Sequence, residues 1–179
     1  MGRDKASLRF GSETMIERAT RIVMEVVSDL IVVTRPGTSF PGLPGRIVHD
    51  PVADLGPLAG IAAGLSASHS DLNLIVACDM PLVRPAVLQR LIELRDDADA
   101  CVAVADGHAS PLCAVYRASV GAVAEGLLAS GERRVMALLD HVQTKRVDAA
   151  AFRDIDPQLE SFISCDTPEA YAAMLARLA

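Results

Sequence analysis

The sequence predicts an α/β fold in which helices cover both faces of one continuous, mostly parallel sheet. Three observations carry that expectation. Short runs rich in Val and Ile alternate with longer stretches of helical period, which is the pattern of strand–helix–strand crossovers. No linker, low-complexity tract or solenoid-length repeat interrupts the alternation. With 179 residues, 51% of them hydrophobic and 22% charged, the chain has the size and apolar content of a single domain with one core.

The elements follow in order. Met15, Ile16, Ala19, Ile22, Val23, Val26 and Val27 recur at helical spacing and predict a first helix over 12–29, with Ser12 or Thr14 as N-cap and Glu17 as the capping-box partner of Thr14. Residues 30–33 are a fully apolar strand, followed by a loop punctuated by Pro36, Gly37, Pro41, Gly42, Pro44 and Gly45. A short strand at 46–49 precedes a glycine-opened helix that starts at Gly56. Strands are expected at 72–78, 100–105, 111–116 and 160–165, with a turn at Asp106-Gly107. Helices are expected at 85–95, 119–129, 132–141 and 167–178.

Composition narrows the function. A formal net charge of -6 is the wrong sign for a domain that grips nucleic acid by neutralising phosphates, and 3% aromatics with no Trp leaves little to stack on bases. Nucleic acid is not expected as a partner. The apolar runs, such as 30–33 and 74–78, fall far short of the roughly 20 residues that cross a bilayer. Charges begin at Arg3 with no apolar leader behind them, and Ala6 breaks the myristoylation pattern, so a cytoplasmic location without membrane attachment is expected. Cys78, Cys101, Cys113 and Cys165 lack C-x-x-C spacing and read as buried free thiols. His49, His69, His108 and His141 show no metal-ligand spacing and are given no catalytic part.

Two segments echo each other: Cys78-Asp79-Met80-Pro81 and Cys165-Asp166-Thr167-Pro168. Each places an Asp after an apolar run and a Pro where a helix begins. At the carboxyl ends of neighbouring strands, Asp79 and Asp166 would share a hard cation such as Mg²⁺; the alternative is that each only caps the next helix. Lys5, near a helix entry, is a candidate phosphate contact or a solvated surface lysine. Asp50, followed by Gly56-Pro57-Leu58-Ala59-Gly60, combines a carboxylate with a helix N-terminus open to close backbone approach, which suits a nucleotide clamp or a tight packing turn.

The ordered set MGRDKASL, GPLAGI, CDMP, SPLCAVYR, SGERRVM and FISCDTPEAY resembles the molybdenum cofactor guanylyltransferase family over essentially the whole chain. That family is a branch of the nucleotidyltransferases with a Rossmann-like, three-layer α/β/α fold. The resemblance implies transfer of GMP from Mg-GTP to molybdopterin carrying molybdenum, with release of pyrophosphate. It implies that Lys5 contacts the GTP phosphates, that Asp50 and the turn Gly56, Pro57 and Leu58 help hold the nucleotide, and that Asp79 binds Mg²⁺. The pterin substrate would meet the second half, where Arg133 and Arg134 offer guanidinium groups to its phosphate; basic residues early in a helix oppose the dipole, and the other reading is a plain surface helix start. Other proteins of molybdenum-cofactor synthesis are the partners the resemblance suggests.

The chain also departs from the family's pattern. Relatives place an apolar strand and a Leu-Ala-Gly-Gly loop ahead of the Met-Gly that is residues 1 and 2 here, so the expectation is one domain over 1–179 with its first strand and loop missing. In-frame codons upstream are expected to encode them. Losing that strand would leave hydrogen-bonding edges open on its two neighbours. Near the last strand, Ser164 and Asp166 replace asparagines of the guanylyl branch, and Asp-Thr-Pro-Glu is closer to the cytidylyl branch; Thr34 stands where many relatives carry Asn. The alternatives are therefore a molybdopterin cytidylyltransferase or other nucleotidyltransferase, and a non-catalytic nucleotide-binding remnant.

Overall fold

The computed structural model describes residues 5–50 and 56–178. A 3-10 turn at Lys5–Ser7 leads into a small antiparallel hairpin, β1 (Arg9–Phe10) and β2 (Glu13–Thr14). Thr14 then caps α1 (Met15–Met24): its hydroxyl accepts the Glu17 N–H while the Glu17 carboxylate accepts the Thr14 N–H, the reciprocal capping box expected from the spacing. The helix stops short of residue 29 because the β-branched pair Val26-Val27 and Ser28-Asp29 are poor helix formers.

Strand β3 (Ile31–Thr34) pairs in parallel with β4 (Arg46–His49). Gly45 opens β4 at φ +88, and a Cβ there would lie 2.5 Å from the Leu30 carbonyl, so the approach of the two strands requires glycine. Helix α2 (Pro57–Ala67) then crosses over to β5 (Leu72–Val76), and α3 (Pro85–Leu94) follows. Strand β6 (Ala100–Ala105) turns at Asp106 and Gly107, both with positive φ, into β7 (His108–Arg117). A two-residue turn of that kind forces antiparallel pairing. Helices α4 (Val120–Ala129) and α5 (Val135–His141), strand β8 (Thr144–Asp148) and α6 (Pro168–Leu175) complete the chain.

The larger sheet has the order β5-β7-β6-β8, with β7 antiparallel to both neighbours and β8 parallel to β6. The α/β expectation holds, and in the larger sheet β5, β6 and β8 run the same way with β7 alone reversed, so the mostly parallel sheet carries one antiparallel strand. Two elements differ from the sequence reading. Strand β8 carries the polar run Thr144-Lys-Arg-Val-Asp148, lacking an apolar signal because it is an edge strand with one buried residue, Val147. Residues 160–165 form no strand: Leu159 sits at φ 56, and a 3-10 turn at Glu160–Phe162 follows.

Helices cover both faces of the four-stranded sheet. On one face, Val87, Leu88 and Leu91 of α3 pack with Cys101, Cys113, Val115, Val147 and Phe152. On the other, Leu58, Ile61 and Leu65 of α2, Val120 and Ala124 of α4 and Leu138 and Leu139 of α5 enclose Val102, Ala114 and Tyr116. The layers are α/β/α. Among the described residues, however, β3–β4 and β5-β7-β6-β8 are separate hydrogen-bonded units. A cavity of about 790 Å³ lies between them, lined by β3, β5, α1 and α2.

Candidate active site

Three of the sequence-selected residues meet beside this cavity, which Asp79 lines. The Lys5 ammonium lies 3.2 Å from Asp79 Oδ2 and 2.9 Å from Asp166 Oδ1. Asp79 sits three residues beyond the end of β5, and Asp166 arrives from the extended segment that precedes α6. The two loops are tied by their backbones, with the Cys165 N–H donating to the Asp79 carbonyl at 2.8 Å.

Neither carboxylate is a helix cap. Thr167 caps α6 by accepting the Ala170 N–H, and Arg84 occupies the N-cap position of α3. The capping alternative for the echoed Asp residues is thereby answered, and both side chains remain available to a cation or ligand. The Asp79 side chain is 19% exposed against 67% for Asp166, so Asp79 is the more enclosed donor.

The charges are mutually stabilised. Partial burial pulls the Lys5 pKa down, but hydrogen bonds to Asp166 and Asp79 outweigh it and hold the ammonium above its ordinary range. Asp166 is held below the usual carboxylate range, first by the Ser164 hydroxyl that donates to it and then by Lys5. By linkage, the Asp166 contribution is present above the ordinary carboxylate pKa and is lost as pH falls. The Lys5 contribution is present below the ordinary lysine pKa and is lost as pH rises. The cluster is therefore intact across the neutral range. Burial pushes the adjacent Cys165 thiol up to about 11, so it stays protonated and is no nucleophile.

Residues that sequence reasoning did not select hold these loops in place. Asp156 is fully buried; its Oδ2 accepts the Ser161 N–H at 2.8 Å, and Arg84 Nε lies 3.5 Å from Oδ1. Arg84 also donates to the Ile155 carbonyl. This carboxylate organises the turn that delivers Ser164 and Asp166. Across the site, Arg18 donates to the Pro81 carbonyl, pairs with Glu13 at 2.9 Å and stacks over Phe10 at 5.1 Å from the ring centre. Arg18 and Arg84 reach partners 63 and 71 positions away in the chain, a separation that no local spacing signals.

The remaining selections are distributed differently. Gly56 opens α2 at φ +79 and Pro57 lines the large cavity, whereas Leu58 is fully buried in the core, so its side chain packs rather than binds. Asp50 directly follows β4, its N–H bonded to the Thr34 carbonyl, and lines a second cavity of about 600 Å³ between β4, α2 and α4. It does not join the Lys5 group. Met1 to Asp4, and Asp54 and Leu55 ahead of the Gly56 turn, lie outside the described residues.

Arg133 and Arg134 are exposed, and the dipole argument for an external anion is removed by their neighbour. Glu132 accepts the Arg133 and Arg134 N–H groups at 2.8 and 2.9 Å and also binds the Arg134 guanidinium. Those bonds, the Arg134 side chain first, lower its pKa to about 2. Glu132→Gln should lower Tm by about 2 °C at neutral pH. Because the folded pKa is depressed, the difference from the parent is present above the ordinary glutamate value and closes as pH falls towards about 2. Melting curves between pH 2 and 7 measure it.

Among the described residues no group of three or more His, Cys, Asp or Glu is arranged for a metal, and no helix is long and apolar enough to cross a membrane. Asp79 and Asp166 nevertheless fit a divalent cation: two hard carboxylates converge on one point of positive charge, which the Lys5 ammonium marks.

The family described as MobA-like NTP transferase domain matches residues 1–147. A protein of Methanothermobacter thermautotrophicus named probable molybdenum cofactor guanylyltransferase is 35% identical, over 94% of this chain and 89% of its own. Another of that name, from Chloroflexus aggregans, is 31% identical over 94% of this chain and 84% of its own. Among solved structures, molybdopterin-guanine dinucleotide biosynthesis protein A from Archaeoglobus fulgidus superposes with a TM-score of 0.81 at 24% identity, over 99% of this chain and 91% of its own.

Proposed function

The chain belongs to the MobA-like NTP transferase family, and from that premise we propose that it transfers GMP from GTP to the terminal phosphate of molybdenum-bearing molybdopterin. A phosphate oxygen of the acceptor attacks the α-phosphorus of GTP. The bond from that phosphorus to the bridging oxygen breaks, and pyrophosphate leaves. The observation that carries this reading is the convergence of Lys5, Asp79 and Asp166 on one point.

Phosphoryl transfer of this type needs little covalent help; it depends on holding both oxygens in line and neutralising charge on the transferred group. In this reading Asp79 and Asp166 hold Mg²⁺, which supplies Lewis-acid stabilisation of the phosphate oxygens when bound. Lys5 turns its ammonium to the β- and γ-phosphates and stabilises the departing pyrophosphate. The N–H groups at the start of α2, with Gly56 and Pro57, face the nucleotide. Asp50, Leu58, Arg133 and Arg134 are secondary: the first is proposed to support the Gly56 turn from just beyond β4, Leu58 anchors α2 in the core, and of the two arginines Arg133 is proposed to meet the acceptor phosphate, Arg134 having first to leave Glu132.

Asp166, followed by Thr167, Pro168 and Glu169, favours a second reading in which CTP is the donor. Pyrophosphate release with molybdopterin as acceptor separates the two. The expected result is a kcat/KM for Mg-GTP at least about tenfold above that for Mg-CTP, a transition-state difference of about 1.4 kcal/mol. A preference for CTP would overturn the guanylyl reading, and nucleotide binding without turnover would point to the non-catalytic remnant.

A further inference from the structure

Strand β4 has a second side that β3 does not use. The Arg46 and Asp50 N–H groups donate to the Leu30 and Thr34 carbonyls at 2.9 and 2.8 Å, so the even-numbered residues turn their peptide groups towards β3. Alternation then points the N–H and C=O of Ile47 and His49 the other way. Among the described residues no strand pairs with that side, because β4 is hydrogen-bonded to β3 alone. Arg46, Ile47 and His49 are exposed and Val48 is half-buried, with Ile47 at 37% one of the few large apolar side chains left so open.

The edge at β8 is built differently. There Lys145 and Arg146 stand side by side, paired with Asp96 and Asp140, and the apolar Val147 is turned to the core. Charged side chains in the middle of an edge strand discourage strand addition, and β4 has Ile47 and Val48 in that place. Its charges sit at the two ends instead: Arg46 opens the strand and Asp50 directly follows it. The side chains of Arg46, Val48 and Asp50 share the α2 face, since Arg46 donates to the Ala67 carbonyl of α2 while Val48 and Asp50 line the second cavity beside that helix. The pattern is therefore cation, apolar residue, anion along one face.

Such a pattern is its own complement when reversed. Laid antiparallel about a two-fold axis through Val48, a second copy opposes its His49 to Ile47 and its Ile47 to His49, so both outward residues of each copy exchange N–H···O=C bonds. The same register sets Arg46 against the second copy's Asp50, twice, in the closer non-hydrogen-bonded pairs, where opposite charges stabilise and like charges destabilise. An axis through Ile47 would oppose Arg46 to Val48, and one through His49 would oppose Val48 to Asp50, so only the Val48 register matches charge with charge. We propose that β4 is the contact strand of a symmetric homodimer, paired antiparallel about Val48, in which Arg46 of each copy meets Asp50 of the other. Arg46 has five N–H donors and commits one to Ala67, which leaves others for the carboxylate. Asp50 is the residue assigned above to support the Gly56 turn, so the second copy's guanidinium reaches the border of the nucleotide site. The inference rests on the geometry and charge order of β4 and stands whichever nucleotide is used.

The test is sedimentation equilibrium over about 1 to 100 μM protein, the range in which a small interface built on one short strand associates. The parent chain is expected to pass from monomer to dimer across it, and hydrogen exchange at the Ile47 and His49 amides should slow by about fivefold between the two ends of the range. Arg46→Glu sets acid against acid and Asp50→Arg sets base against base, so each variant alone should dimerise at least about tenfold more weakly. An equimolar mixture of the two should recover dimers of parent strength, because each opposed pair in the mixed dimer again joins an acid to a base. The substitutions move the net charge in opposite directions, so a loss shared by both and reversed on mixing reports the opposed pairs and not the overall charge. Exchange in the parent decides independently of how either variant folds. The proposal is overturned if the parent stays monomeric to the top of the range, if exchange slows elsewhere and not at Ile47 and His49, or if well-folded variants fail to recover on mixing.

Discussion

Asp79→Ala is expected to lower nucleotide-dependent pyrophosphate release by about 10²- to 10³-fold, the scale on which removing one preorganised electrostatic group acts on an enzyme. The expectation follows from placement. Asp79 is the less exposed of the two carboxylates that share Lys5, and its loop is fixed by the Cys165 N–H on its carbonyl and by the Arg18 guanidinium on Pro81 two residues later. Its backbone is held by groups the substitution leaves untouched, so the charge is removed without moving the frame. Asp166→Ala should cost less, about tenfold, because that side chain is largely solvent-exposed and its field is better screened. Both variants should melt within a few degrees of the parent, which distinguishes a lost charge from a lost fold. Turnover by Asp79→Ala within threefold of the parent would remove this carboxylate from the chemistry.

The parts of the fold legible in the sequence are those whose signal is local. The capping box at Thr14 and Glu17, the apolar strand at Ile31–Thr34 and the glycine-opened start of α2 each combine a few neighbouring residues into one physical preference, and each is found. Strand β8 was illegible because an edge strand with a single buried residue resembles a polar loop. The reversal of β7 was half written: Asp106-Gly107 marked a turn, but the length of β7 on its far side depends on pairing with both β5 and β6. At the site, the motif echo singled out Asp79 and Asp166 and placed the two carboxylates in equivalent positions, whereas Lys5 was marked by the family resemblance and not by spacing. The bond between them was not readable, since Lys5 and Asp166 are 161 residues apart in the chain. Nor was the part played by Glu132, whose carboxylate makes two early arginines compatible with a helix start. Propensity rules count those arginines as a conflict; geometry resolves it through a single neighbouring acid.

Lys5→Met is expected to separate two roles that one ammonium combines. In the protein without nucleotide, Lys5 is the counter-charge for both Asp79 and Asp166. A divalent cation entering between those carboxylates must displace it, so part of the metal's binding free energy is spent on breaking two ion pairs. Methionine keeps the length and much of the packing of the side chain while removing the competitor, and it leaves two like charges facing one another with nothing between them. Divalent-cation affinity should therefore rise, by about three- to tenfold at low ionic strength, as read by Mn²⁺ titration of the nucleotide-free protein. Turnover should move the opposite way and fall by about 10²-fold, because in the reaction Lys5 is assigned to the phosphates that leave. A surface lysine would alter neither quantity, and a lysine that merely holds the loops together would weaken metal binding along with turnover. The opposed signs are what a counter-ion that hands over its carboxylates and turns to the substrate demands, and weaker Mn²⁺ binding by Lys5→Met would refute that exchange.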